Sequence, residues 1–193
     1  MINTTKDRYA TALMNKLEHQ TLDRVTVTDI AHDCGTTRQA FYYHFDDIYD
    51  LLEWIYLQES AKLLEDNRDI RTWQHGQRLI LDWMQSHRNF VVNTYRSIKR
   101  EYLENFLTDW LNPLLLEVVE TQSDGLYVSA EERHFLARFY TLALVATSMD
   151  WVSEGMVEPA EVQALRVEIL IKDNIRNALE RYDATRRRAT RGD

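Results

Sequence analysis

Apolar side chains recur at helical spacing along most of this chain, and from Asp46 onward it reads as almost pure helix, with two prolines and scattered glycines as punctuation. The pattern predicts an all-α protein of about nine helices. A first helix is expected over Thr5–His19, with Tyr9, Leu13 and Leu17 on one face and Asn3 or Thr4 as its cap. Ile48, Leu51, Leu52, Ile55 and Leu63 mark a long helix over Ile48–Asp66, and Leu79, Ile80, Trp83 and Met84 mark another over Thr72–His87. A further helical stretch, Asn89–Trp110, carries a break near Lys99. Asn112 and Pro113 then form a candidate new start, because proline is tolerated at the first helical position. Ser123-Asp124-Gly125 reads as a loop. Phe135–Val152 is apolar nearly all round, which requires burial on more than one side. Ser129 with Glu132 caps that helix, and it should stop near Gly155. Pro159 opens a last helix whose apolar face is Val162, Leu165, Ile169, Ile175, Leu179 and Tyr182.

The segment Thr26–Phe45, TVTDIAHDCGTTRQAFYYHF, departs from this plain pattern. Thr26 and Asp29 have capping-box spacing, and Val27, Ile30, Ala31 and Cys34 share a buried face. Gly35 falls where that short helix must end, since a left-handed residue there costs glycine almost nothing. Thr37 can cap a second helix at once. On that helix Ala40, Phe41 and Phe45 suit packing. Thr37, Arg38, Gln39, Tyr42, Tyr43 and His44 carry hydroxyl, guanidinium, amide, phenol and imidazole groups that reach base edges and phosphates, and Thr28 and Thr36 extend the candidate set.

The run D-I-A-x-x-x-G-x-x-x-x-x-x-Y-x-x-F, here Asp29, Ile30, Ala31, Gly35, Tyr42 and Phe45, resembles the helix-turn-helix of TetR-type transcription regulators. The resemblance covers about the first quarter of the chain and implies a three-helix DNA-reading head over residues 1–47. A ligand-sensing and dimerisation bundle over 48–185 and a basic tail over 186–193 complete the expected organisation. The lysine usual in that family shortly after the phenylalanine is absent, since the chain reads Phe45-Asp46-Asp47-Ile48-Tyr49-Asp50-Leu51. The continuation F-x-D-x-Y-D-L-L-x-W-I-Y is similar to the subgroup containing the dihydroxyacetone kinase operon regulators.

The resemblance implies a homodimer on a palindromic double-stranded operator, with a small-molecule effector relieving repression. Its subgroup admits an activator controlled by an effector-binding partner protein instead, and the alternative outside regulation is a helical interaction module without DNA binding. The implied dimer seam pairs the last apolar helices with their copies, placing Phe135, Phe139, Leu142, Ala146, Leu165 and Ile169 there. The bland alternative for these residues is a monomer's interior. Trp83, His87, Tyr95, Trp110, Tyr140 and Ser148 are candidate pocket residues, with Trp73, Thr141 and Trp151 nearby in type, because aromatics with a few polar groups suit a small ligand. The same aromatics at helical spacing also serve as ordinary core.

Composition narrows the alternatives. Net charge is −8 over 193 residues, although nucleic-acid binders commonly carry a basic footprint. Through Asp46 the bases Lys6, Arg8, Lys16, Arg24 and Arg38 are outnumbered by a single acid, so most of the acidity lies in the bundle. Modest non-specific DNA affinity is expected, with specificity resting on direct contacts. The single cysteine, Cys34, reads as a small core residue and agrees with a reducing compartment. No apolar run approaches a membrane span and the N-terminus is unlike a signal peptide, so a cytoplasmic protein is expected. An enzyme is disfavoured, because no phosphate-binding glycine loop, H-E-x-x-H, C-x-x-C or G-x-S-x-G is present. His32 and Cys34 point to different sides of a short helix, so neither a metal nor a cofactor is expected.

Overall fold

The computed structural model describes residues 4–64, 73–171 and 173–191. Among them are ten α-helices and no strand. The head comprises α1 (Thr5–Leu17), a 3-10 turn (Leu22–Arg24), α2 (Val27–Asp33) and α3 (Arg38–Tyr42). The rest is α4 (Ile48–Leu64), α5 (Trp73–Ser86), α6 (Arg88–Ser97), α7 (Arg100–Gln122), α8 (Ala130–Ser153), α9 (Ala160–Ile171) and α10 (Asn174–Arg191). The expected cap at Asn3, helix end at Asp66, helix start at Thr72 and the Trp73 side chain fall outside the described residues.

Three helix starts carry the reciprocal capping box, at Thr4 with Asp7, Thr26 with Asp29 and Ser129 with Glu132. In each, the hydroxyl accepts from the third helical N–H and the carboxylate accepts from the cap's own N–H, satisfying two donors that a helix start leaves open. The α7–α8 pair forms the spine of the body. Around it, Leu115, Val118, Val119, Leu136, Ala137, Ile175 and Leu179 make one core. A second core runs without interruption from Tyr9, Phe41 and Phe45 through Leu51, Ile55, Leu81 and Phe90 to Trp151 and Met156. The head therefore shares its core with α4, α5, α6 and the end of α8.

Two expectations need correction, the helix start at Asn112 and the single last helix. Pro113 lies inside α7, so no new helix starts at Asn112. The Asn112 amide oxygen instead faces the buried Thr141 hydroxyl on α8 at 3.4 Å. The last helix is two helices, α9 and α10, with Asp173 between them at φ 62. That break divides the expected apolar face: Ile175 and Leu179 turn into the body's core, whereas Leu165 and Ile169 remain exposed. The basic tail is likewise helical through Arg191, and Arg186 is held to Glu132 at 3.0 Å.

Gly35 sits at φ 63, and no atom lies within 4 Å of where a Cβ would project. A substitution there is penalised by backbone conformation alone. We expect Gly35→Val to cost about 1–2 kcal/mol of stability and Gly35→Asn distinctly less, because asparagine tolerates the left-handed region. Denaturant melts compare the three proteins, and a Gly35→Val midpoint equal to wild type would contradict the turn assignment.

Candidate nucleic-acid interface and body cavities

A five-residue helix is far too short to be stable alone, so α3 depends on its surroundings. Gly35 N–H donates to His32 O at 2.9 Å and Thr36 N–H donates to Ala31 O at 2.9 Å, the paired bonds of a glycine-terminated helix end. Thr37 then accepts from Ala40 N–H at 3.1 Å and starts α3 immediately. Phe41 is buried against Tyr9 with ring centroids 5.3 Å apart, and Tyr9 also meets Phe45 at 6.4 Å. The Tyr9 hydroxyl lies 2.9 Å from Thr36 Oγ1, and Arg8 reaches the Cys34 carbonyl. Thus α1 grips both sides of the turn.

What remains exposed is the polar set. Thr28, Thr37, Arg38 and Gln39 are solvent-facing, Tyr42 is 43% exposed and Tyr43 86%. Arg38 donates to the Tyr42 hydroxyl at 3.1 Å and lies 5.4 Å over its ring, so the two present one preformed unit. Tyr43 and His44 sit in the turn after α3, not on the helix, and their rings meet edge to face at 5.2 Å. Thr36 differs from the rest, because its hydroxyl is already engaged by Tyr9 and by Ala31 O at 3.2 Å. Two acids next to the turn are occupied: Asp29 serves the cap, and Asp33 pairs with Lys16 at 2.8 Å. Cys34 is buried, and burial pushes its thiol up, away from the reactive thiolate.

Two adjoining cavities occupy the body, of about 90 and 170 Å3. Trp83, Tyr95, Trp110 and Ser148 line the smaller, and Trp110 and Ser148 also line the larger. Two of the six candidates fall elsewhere. His87 stacks on the outer side of Trp83 at 4.5 Å and lies 2.9 Å from that residue's carbonyl. Tyr140 packs with the α7–α8–α10 core, where burial raises its pKa. Thr141 and Trp151 serve structure, bonding Ala137 O at 2.8 Å and Glu158 O at 2.9 Å.

Helix α6 joins the smaller cavity to the head. Val91, Thr94 and Tyr95 face the cavity, while Asn93 donates to Leu17 O and the Ser97 hydroxyl accepts from Leu22 N–H, both at 2.8 Å. A second tie runs from α7 to α4, where Tyr102 donates to Glu53. That carboxylate holds the Tyr102 phenol up at about 12.

Comparison with known proteins decides what such an assembly is. Residues 12–55 match the family described as "Bacterial regulatory proteins, tetR family", and residues 71–173 match "Transcriptional regulator C-terminal region" of the TetR type. The chain belongs to the TetR family of transcription regulators. It is 28% identical, over 152 residues, to the HTH-type dhaKLM operon transcriptional activator DhaS of Lactococcus lactis subsp. lactis (strain IL1403), covering 78% of this chain and 81% of that protein. The solved structure of the dihydroxyacetone kinase operon activator DhaS superposes with a TM-score of 0.70 at 22% identity, over 93% of this chain and 98% of that one. That likeness establishes the TetR-like fold. The family consists of regulators, not enzymes, and no helix among the described residues is long and apolar enough to cross a membrane.

Within this TetR frame several cavity residues escaped the sequence reading, notably Tyr56, Gln77, Met84, Thr94 and Phe106. Tyr56, Met84 and Phe106 look like ordinary core by type and spacing. Gln77 and Thr94 are polar residues on apolar faces, which was the available signal.

The Thr26 hydroxyl, followed by its backbone N–H, holds the Asp29 carboxyl below its ordinary 3.8. A lowered carboxyl contributes stability fully above its ordinary pKa and loses it as pH falls through the lowered one. The melting temperature of wild type should therefore exceed that of Asp29→Asn by a constant margin from neutral pH to about 5 and lose that margin below 3.8. Parallel melts of the two proteins check this, and a margin that persists at strongly acidic pH would refute the cap's role.

Proposed function

We propose that this TetR-family regulator is a cytoplasmic homodimer that binds a palindromic operator and is released from it by a small ligand. The exposed Arg38–Tyr42 unit carries the reading. It stands on a short helix whose Phe41 is buried, and the sequence carries no acid from Arg38 until Asp46. Thr28, Thr37, Gln39, Tyr43 and His44 complete the proposed DNA surface, and Thr36, its hydroxyl spent internally, positions the turn. Residues 1–47 act as the head and 48–185 as the sensing and dimerising body, while 186–191 extend α10.

The proposed dimer seam rests on exposed apolar positions repeating along two helices. Phe135 (63% exposed), Phe139 (58%), Leu142 and Ala146 follow one stripe of α8, and Leu165 and Ile169 follow one of α9. Such a stripe exceeds what one chain covers by itself, and a two-fold axis lets it meet its own copy. The control step is a difference in ligand affinity between two head separations. A ligand displacing Val91, Thr94 or Tyr95 moves α6, and α6 carries Leu17 and Leu22 through the bonds from Asn93 and Ser97.

The similarity to DhaS, a transcriptional activator, supports a second reading, in which the DNA-bound state activates transcription; in it the signal is delivered by a partner protein, as the subgroup resemblance implies. A reporter gene separates the two, since deletion of the regulator raises expression in the first and lowers it in the second.

The proposal is tested on a site selected from random duplexes. Arg38→Ala, Gln39→Ala and Tyr42→Phe should each weaken binding by about 1–3 kcal/mol where a base-edge contact is lost, with fold and dimer unchanged. Phe139→Glu should split or unfold the dimer and abolish tight binding without touching the reading surface. Wild-type affinity in all three head variants would overturn the reading surface. A light-scattering mass of one 23.0 kDa chain at micromolar concentration would overturn the dimer.

A further inference from the structure

Among the described residues, two buried side-chain polar atoms make no hydrogen bond of ordinary geometry, Gln77 Oε1 and Thr94 Oγ1. A buried polar atom is expected to have a partner, so each calls for an explanation. Both belong to the cavity walls. Thr94, 1% exposed, lines the smaller cavity from α6, and Gln77 lines the larger from α5. Thr94 Oγ1 faces the Tyr56 hydroxyl outside the geometry of an ordinary hydrogen bond; the contact draws the phenol's pKa down, but burial outweighs it and pushes it up.

The cavities adjoin, sharing Ile80, Met84, Leu107, Trp110 and Ser148 as a common wall. The larger, about 170 Å3, matches the size of cavity that accepts benzene. Among the described residues, no charged side chain lines it. Among the same residues, the smaller has only Glu59, and Glu59 is engaged by Lys62 at 2.5 Å. A charged ligand would lose its hydration here and find no counter-charge among the described side chains.

We propose that the two cavities form one site for a small, uncharged aromatic alcohol. Its ring fills the larger cavity and a ring hydroxyl donates to Gln77 Oε1. Its short arm passes Trp110 and places a second hydroxyl against Thr94 Oγ1. Gln77 Oε1 and Thr94 Oγ1 are thereby the polar ends of an otherwise apolar site. This deepens, and rests on, the reading of the body as a ligand sensor.

Titration calorimetry on the full-length protein tests it with three probes of one frame: 4-(2-hydroxyethyl)phenol, its phenolic methyl ether, and 4-hydroxyphenylacetate. The neutral diol should bind saturably, with the carboxylate at neutral pH at least about tenfold weaker. Gln77→Met and Thr94→Val should each weaken the diol about fivefold to tenfold, and Gln77→Met should leave the methyl ether unaffected. Thr94→Val is nearly isosteric, and retention of the wild-type melting curve marks it as folded. Absence of saturable heat with the diol, equal affinity for the carboxylate, or undiminished diol binding in both variants would each overturn the site. Operator affinity is measured in parallel. Diol binding with the stated discrimination sustains the site even where operator affinity stays unchanged, and that last result counts against ligand-controlled release alone.

Discussion

The reading helix has five residues, and everything else in the molecule exists under that constraint. So short a helix cannot pay for its own nucleation, so its orientation is decided by what Phe41 packs against. Tyr9 supplies that surface, with zero exposure and ring contacts to Phe41, His44 and Phe45. Phe45 continues the same packing onto Trp54 of α4 at 5.9 Å. Aim and stability of α3 are therefore properties of α1 and α4, not of its own exposed residues.

The same constraint gives signalling a route. A head with an independent core could ignore the body, but this core is continuous from Tyr9 to Trp151. The polar ties run parallel to it: Asn93 and Ser97 bind the backbone where α1 ends, and Tyr102 binds Glu53 where α4 leaves the head. A change of packing at Val91, Thr94 and Tyr95 thus has two short paths to the helix that α3 leans on. On the proposed reading, the missing lysine after Phe45 leaves the head with one phosphate contact fewer, so small changes of aim matter more.

Local chemistry was legible wherever a backbone requirement names its residue. The capping boxes at Thr26 and Ser129, the glycine turn at Gly35 and the exposed set from Arg38 to Tyr43 follow from hydrogen-bond needs and sterics that act over a few residues. The errors lie where tertiary packing overrides such rules. Pro113 is absorbed in α7 because the long contact with α8 stabilises the helix on both sides of it. Asp173 takes a positive φ that no glycine announces, and the break rotates Ile175 and Leu179 inward while α9 keeps Leu165 and Ile169 outward. His87 and Tyr140 share helical phase with the cavity residues Trp83 and Leu144, four positions away, but lie one turn further along the axis, and where a cavity ends along a helix is not written in local spacing.

The central claim is that two copies, paired through α8 and α9, hold two rigidly seated reading helices at a separation DNA can use. Pulsed electron paramagnetic resonance measures that separation directly, with a nitroxide at Gln39→Cys in a Cys34→Ala background. The account predicts dipolar coupling with one dominant distance near about 34–36 Å or a whole multiple of it, as two half-sites on one duplex face require. Absence of coupling, or a broad distribution with no such peak, would contradict it.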